Sequence, residues 1–171
     1  MKQRNVFRKF LKDTKGATAV EFALLALPFL VMVIGSIQLG IIFLANQSLD
    51  KTINDVSRLV WTGAVQQAGL SENALRERVC QEVIFVPDCG ASLAFSVQSF
   101  PDAPTANSAT LFDANGHPIV SNGFNPGQAG DVIVVAARIE IPIVLSDLFA
   151  GTAPAATVLS SANVFINEPF Q

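Results

Sequence analysis

The sequence contains no tyrosine, one histidine (His117), one tryptophan and two cysteines. A single histidine gives little support to a metal centre, because such sites combine several histidine, cysteine or carboxylate ligands. The segment Asp113–His117 begins like a calcium-binding loop, but the remaining ligands and the closing glutamate are missing, which favours a polar turn. No nucleophile-elbow sequence of a hydrolase is present. We therefore expect no cofactor, no metal and no enzymatic activity.

Long apolar runs are also scarce, since the chain has only one, the 23 residues from Phe22 to Leu44. A helix of this length measures about 35 Å, enough to cross a hydrocarbon core of ~30 Å. The stretches Val132–Ala137 and Ile141–Leu145 have the length of core elements. A cleaved secretory signal is disfavoured, because its apolar run is shorter and ends at a small-residue cleavage site, which is not evident near Gly35. The sequence predicts one membrane span.

Positive charge is concentrated at the N-terminus. Residues 1–16 carry six basic residues against Asp13, a net charge of +5, whereas residues 45–171 carry five basic residues against twelve acids, a net charge of −7. Because basic flanks remain on the cytoplasmic side, we expect the N-terminus inside and the C-terminal part outside the membrane. An acidic outer part without basic or aromatic clusters also argues against nucleic acid as a partner.

The two cysteines, Cys80 and Cys89, both lie on the predicted outer side. An even cysteine count in an oxidising compartment favours a disulfide, which would contribute on the order of 3 kcal/mol through loop closure. Two buried free thiols are the alternative.

The start of the apolar run carries one acid, Glu21, in the stretch Lys15–Phe22. A charged side chain within a membrane helix costs roughly 2.5–3.5 kcal/mol even on lenient insertion scales, so such a residue is a functional candidate. The alternative is an interfacial acid that the helix dipole stabilises at a helix N-terminus.

The apolar pattern keeps a helical period beyond the predicted membrane span. Apolar residues recur every three to five positions as far as Ala64, so the sequence predicts one helix over residues 17–67, interrupted at Pro28 by a missing hydrogen bond. Ser71 is a suitable cap for a second, short helix over residues 71–81.

The pattern then changes to a period of two, which is typical of strands. We predict strands over residues 92–98, 131–141 and 157–167, a long loop over residues 100–130, and a short fourth strand near Pro118–Ser121. Because no crossover helices separate the strands, the sheet should be antiparallel. The predicted fold is α+β: a long N-terminal transmembrane helix that continues into an ectodomain with a short second helix and a three- to four-stranded antiparallel sheet.

The stretch Gly16–Phe22 at the head of an apolar helix resembles the processing site of type IV pilins. Together with Pro28 and the long helix, it is most similar to the TadE-like pseudopilins of tight-adherence (Tad, Flp) pilus systems, whose pattern Gly16, Glu21, Phe22 and Pro28 match position by position. The resemblance covers about residues 8–65. One departure is Gln38, where relatives often carry an acid.

The resemblance implies that a prepilin peptidase of the bacterial inner membrane cuts between Gly16 and Ala17. Residues 1–16 would then be a leader, residues 17–45 the transmembrane segment and residues 46–171 an extracytoplasmic domain. The new ammonium group at Ala17 would lie one turn from Glu21 and could pair with it, in the same chain or in a neighbour. Other pilins or pseudopilins and the Tad assembly platform would be the partners.

The combined interpretation is that the protein is a non-enzymatic pseudopilin or minor pilin, which primes the pilus, forms its tip or helps to assemble it. The main alternative is an uncleaved single-pass membrane protein whose ectodomain scaffolds an envelope complex or binds a ligand. An extracytoplasmic hydrolase has no set of residues to support it.

Overall fold

The computed structural model describes residues 16–108, 111–120, 123–143 and 156–169. Most of the predicted leader, residues 1–15, therefore lies outside the described residues. The chain divides into two compact units, Met1–Leu39 and Gly40–Gln171. The elements in chain order are α1 (Ala17–Trp61), α2 (Ala64–Ala68), α3 (Glu72–Glu82), α4 (Cys89–Ser92), β1 (Leu93–Phe100), α5 (Ala103–Ser108), β2 (Val132–Pro142) and β3 (Ala156–Ile166).

In the first unit, the described residues belong almost entirely to the N-terminal part of α1. Its large apolar side chains are exposed, with Phe22 at 74% and Leu24 at 71% of full exposure. The helix continues through Pro28, although this residue has no N–H to donate to the preceding turn.

In the second unit, the remainder of α1 forms one wall of the core. Its buried residues recur at spacings that place them on one face of a helix: Ala45, Leu49, Thr52, Ile53, Val56, Ser57 and Val60. The neighbouring positions Asn54 and Asp55 are exposed. This part of α1 is thus amphipathic, as the sequence predicts.

The first helix ends earlier than predicted. Instead of continuing to Gln67, α1 stops at Trp61, and Gly63 adopts a left-handed φ of 76°. Glycine takes this conformation without the steric penalty of a Cβ atom, so it commonly terminates helices. The chain then resumes as the five-residue α2.

The second predicted helix is confirmed as α3. Ser71 caps it, because its Oγ accepts a hydrogen bond of 3.3 Å from the N–H of Ala74. Leu75 and Val79 are 1% and 0% exposed and join the core.

The three long strands form one antiparallel sheet in the order β1-β2-β3. Phe95 pairs with Ala137, and Ala137 pairs with Ser161. The predicted α+β architecture is therefore confirmed, with three strands among the described residues. The proposed fourth strand is wrong as far as it is described, since Pro118 makes only an isolated bridge with Phe112.

The central strand β2 is buried on both faces along its first half. Ile133, Val135 and Ala137 face the helices at 0% exposure, while Val134 and Ala136 on the opposite face are 4% and 1% exposed. On β3, Leu159 lies on the core side, and the alternate residues Val164 and Ile166 are 56% and 59% exposed. The register with β2 decides which face of β3 is internal.

The predicted loop over residues 100–130 contains more structure than its composition suggests. Asp102 Oδ1 accepts a hydrogen bond of 2.8 Å from the N–H of Thr105 and starts the short helix α5. The hydrogen bonds from Thr105 lower the pKa of Asp102. Further along, the Phe124 bridge to Val97 covers part of the free edge of β1.

Candidate functional site

The pilin-like motif lies at the N-terminal end of α1. Gly16 is the first described residue, Ala17 is the first α-helical residue, and Glu21 follows about one turn later. Glu21 and Phe22 are both exposed. The predicted cleavage bond between Gly16 and Ala17 thus stands immediately before a regular helix.

Gly16 is not required by the packing of the described chain. A Cβ atom built on it meets no heavy atom within 4 Å. A larger residue at this position would therefore fit the fold. Any need for glycine must come from something outside the folded chain, such as a binding cleft that accepts only a small residue.

Glu21 is surrounded by apolar residues of its own helix. Its neighbours Val20, Phe22 and Leu24 are all more than half exposed, and among the described residues no ion pair reaches Glu21. The carboxylate is thus available to a positive group from elsewhere. An unpaired carboxylate placed in lipid would be costly, which makes such a partner favourable.

The helix that carries the motif has the length and composition of a membrane span. Among the described residues, α1 is the one helix that is long and apolar enough to cross a bilayer, and none of its most apolar window is buried in the protein. Exposed apolar side chains continue along it to Phe43 and Leu44. This exposed part lies within the predicted span at residues 17–45, whose last residue, Ala45, is buried in the domain core.

The two cysteines form a disulfide in the structure, with an S–S distance of 1.98 Å and a Cα–Cα distance of 5.6 Å. Cys80 lies near the end of α3 and Cys89 begins α4. The bridge ties the second helix to the segment that leads into β1. The disulfide thus has a structural role, and it lies far along the chain from the motif at Gly16.

The residues Asp113–His117 form a polar turn that the side chain of Asp113 closes. Asp113 Oδ1 accepts hydrogen bonds from the N–H groups of Asn115 and His117, at 2.8 and 2.9 Å. The hydrogen bond from His117 is the main cause that lowers the pKa of Asp113, and the Arg138 side chain, 3.9 Å from Oδ2, acts in the same direction. Among the described residues, no cluster of three His, Cys, Asp or Glu could hold a metal.

Among the described residues, the ring of His117 is not linked in series to a nucleophile and an acid. His117 Nδ1 lies 3.4 Å from Ser160 Oγ, but Asp113 bonds the backbone of His117 and not its ring. A nucleophile, a base and an orienting acid must be linked in series for such catalysis. This link is missing here.

Sequence reasoning missed an open groove of about 390 Å³ between α1 and the edge of the sheet, lined by Asn54, Arg58, Trp61, Asn163 and Phe165 among others. Its amide groups already satisfy one another, since Asn163 Nδ2 donates to Asn54 Oδ1 and Ser57 Oγ at 2.9 and 3.0 Å. No pattern in the sequence brings these distant residues together.

Comparison with known proteins gives a match to a family model. No curated protein and no solved structure matches the chain. The model of one protein family, described as TadE-like protein, matches residues 16–58. This range contains the whole motif, the exposed apolar part of α1 and most of its buried face. Over this segment, which is less than half of its length, the chain is similar to TadE-like proteins.

Proposed function

We propose that the protein is a pseudopilin or minor pilin of a Tad-type pilus. A prepilin peptidase cuts it between Gly16 and Ala17, and the processed chain assembles with related subunits through α1. The observation that carries the proposal is the pilin-like motif at the start of an exposed apolar helix, inside the segment that matches the TadE-like family. The family is structural, and no arrangement of described residues supports catalysis.

The charge distribution supports the proposed topology. Before processing, the +5 leader holds the N-terminus in the cytoplasm and leaves the acidic domain outside the inner membrane. Cutting after Gly16 removes all six basic residues of this segment. The protein would then be held by an apolar helix whose only acid within the span is Glu21.

The proposed role of Glu21 is to set the register between packed helices. Its carboxylate would pair with the ammonium group of a processed Ala17, within one chain or between neighbours. Such a pair gains strength in lipid because the alternative is an unpaired charge. The compact, disulfide-linked domain attached to α1 favours a priming, tip or platform role over that of a small shaft subunit.

Mass spectrometry of the protein from native membranes tests the processing step. We expect Ala17 as the N-terminus. A leader that stays intact in cells with an active peptidase would refute processing and favour the uncleaved membrane protein.

A pair of isosteric variants tests the assembly step. Glu21→Gln should be processed normally but should be recovered less with other pilus subunits, since it cannot form the ion pair. Asp55→Asn, an exposed acid on the same helix outside the motif, is the matched control and should behave as the wild type. Equal recovery of both variants would contradict the pairing role.

A further inference from the structure

The loop closed by the disulfide presents two apolar side chains to the outside. Between α3 and α4, Val83 is only 8% exposed and Val86 packs against the core, but Ile84 and Phe85 are 46% and 55% exposed. We call Ile84 and Phe85 the apolar tip. Their exposure cannot be explained by packing within the described part of the domain.

The tip is held in place against α1. The N–H of Ile84 donates a hydrogen bond of 3.2 Å to Ser48 Oγ, and Ser48 Oγ donates one of 2.8 Å to the carbonyl of Ala45. Phe85 has a left-handed φ of 61°, which is unfavourable for a residue with a Cβ atom. The loop therefore keeps a defined, costly conformation with the tip pointing away from the core.

The contact at Ser48 places the tip close to the end of the apolar run. Ser48 lies four residues after Leu44, which corresponds to about 6 Å along the helix. The polar layer of a bilayer extends roughly 5–7 Å beyond each side of the hydrocarbon core. Ala45 and Leu49 are both 0% exposed and Ile42 packs against the core, so the domain packs against one face of α1 at this level.

We propose that the apolar tip inserts into the bilayer interface on the side of the ectodomain. The proposal rests on the proposed function, in which α1 spans that bilayer. Continuity with the membrane-spanning run selects lipid as the occupant, because the tip meets the helix where the helix leaves the hydrocarbon core. Glu82 and Asp88 flank the tip, so anionic lipids would not attract it and zwitterionic lipid is sufficient.

Tryptophan quenching by lipid tests the proposal on the full chain. The protein is reconstituted in phosphatidylcholine vesicles whose acyl chains are brominated near the headgroup. In a Trp61→Phe background, Phe85→Trp should lose emission by about twofold, because interfacial side chains reach a depth of 5–10 Å. Ile84→Trp gives a second reporter in case the first substitution disturbs the fold.

Two controls separate the outcomes. Phe29→Trp in the same background reports the span and should be quenched. In the wild-type protein, the native Trp61 lies about 25 Å along the helix from Leu44 and should not be quenched. If the Phe29→Trp reporter is quenched and both tip reporters are not, the inference is wrong while the span stands. If the Phe29→Trp reporter is not quenched, the span and the inference fail together. The tip reporters could instead show a blue shift of their emission without quenching, at a level that depends on protein density. This result would identify another copy of the protein, and not lipid, as the partner of the tip and would overturn the proposal.

Discussion

The close packing at Gly127 allows a quantitative prediction about the stability of the second unit, Gly40–Gln171. Gly127 has a left-handed φ of 69°, and a Cβ atom built on it would lie 2.6 Å from Ile133 Cδ1, 2.7 Å from Ser99 Oγ and 2.9 Å from Asp131 Oδ2. Gly130 has a similar φ of 88°, but nothing lies within 4 Å of its built Cβ. An alanine at Gly130 would therefore introduce backbone strain alone, whereas an alanine at Gly127 would introduce backbone strain and steric overlap.

The cost of each alanine substitution follows from these contacts. A left-handed alanine costs about 1–2 kcal/mol, and the lower entropy of the unfolded chain returns about 0.4–1 kcal/mol. Gly130→Ala should therefore destabilise by about 0–1.6 kcal/mol. At Gly127 the overlap adds about 1–3 kcal/mol, because Ile133 is fully buried and cannot move freely. Ser99 Oγ is also held by a 2.8 Å hydrogen bond to Asp131 Oδ2. We therefore expect a total of about 1–4.6 kcal/mol for Gly127→Ala.

Urea unfolding of the full chain in detergent micelles measures the difference. Trp61 is the only tryptophan, and its carbonyl accepts a 3.1 Å hydrogen bond from the N–H of Glu168, so its fluorescence reports the folding of the second unit. We expect a clearly lower midpoint for Gly127→Ala than for Gly130→Ala. Equal losses in the two variants would refute the argument from steric overlap.

Two further predictions concern the disulfide and the polar turn. Replacing both Cys80 and Cys89 with serine should destabilise the second unit by about 2.6 kcal/mol, from the loop-closure entropy for their sequence separation of 9. Urea midpoints check this, and an unchanged midpoint would contradict it. Because the pKa of Asp113 is lowered in the folded state, the unfolded chain binds more protons and this contribution to stability is lost as the pH falls below about 4. Asp113→Asn should show a flatter loss of stability on the acid side, and an identical pH dependence in both proteins would refute the role of this carboxylate.

Much of the architecture was accessible from the sequence because it depends on local patterns. The uninterrupted apolar run, the Ser71 cap and the alternation in β2 each reflect one element and its own periodicity. The family match at residues 16–58 likewise covers the motif that the sequence indicates. The pairing of Cys80 with Cys89 followed from there being only two cysteines.

The missed features depend on contacts between distant residues or on a single side chain. The end of α1 at Trp61 is decided by the left-handed Gly63, and α5 forms in a segment rich in Pro, Asn and Ser because Asp102 bonds the N–H of Thr105. The inner face of β3 is fixed only by its pairing with β2, since both of its faces carry apolar residues. The Ser48–Ile84 hydrogen bond joins residues 36 positions apart, which no local pattern predicts.

The proposed assembly signal and the determinants of stability occupy different parts of the chain, and this makes the tests interpretable. Gly16 and Glu21 make no packing contact that the described fold requires, so substitutions there should change processing or assembly without shifting the urea midpoint. Gly127 has close neighbours within the second unit, and the disulfide links two helices of that unit. Substitutions there should therefore shift the midpoint without moving the cleavage site. A Glu21 variant that lost stability would mean that the carboxylate serves the fold, and the assembly role proposed for it would then lose its support.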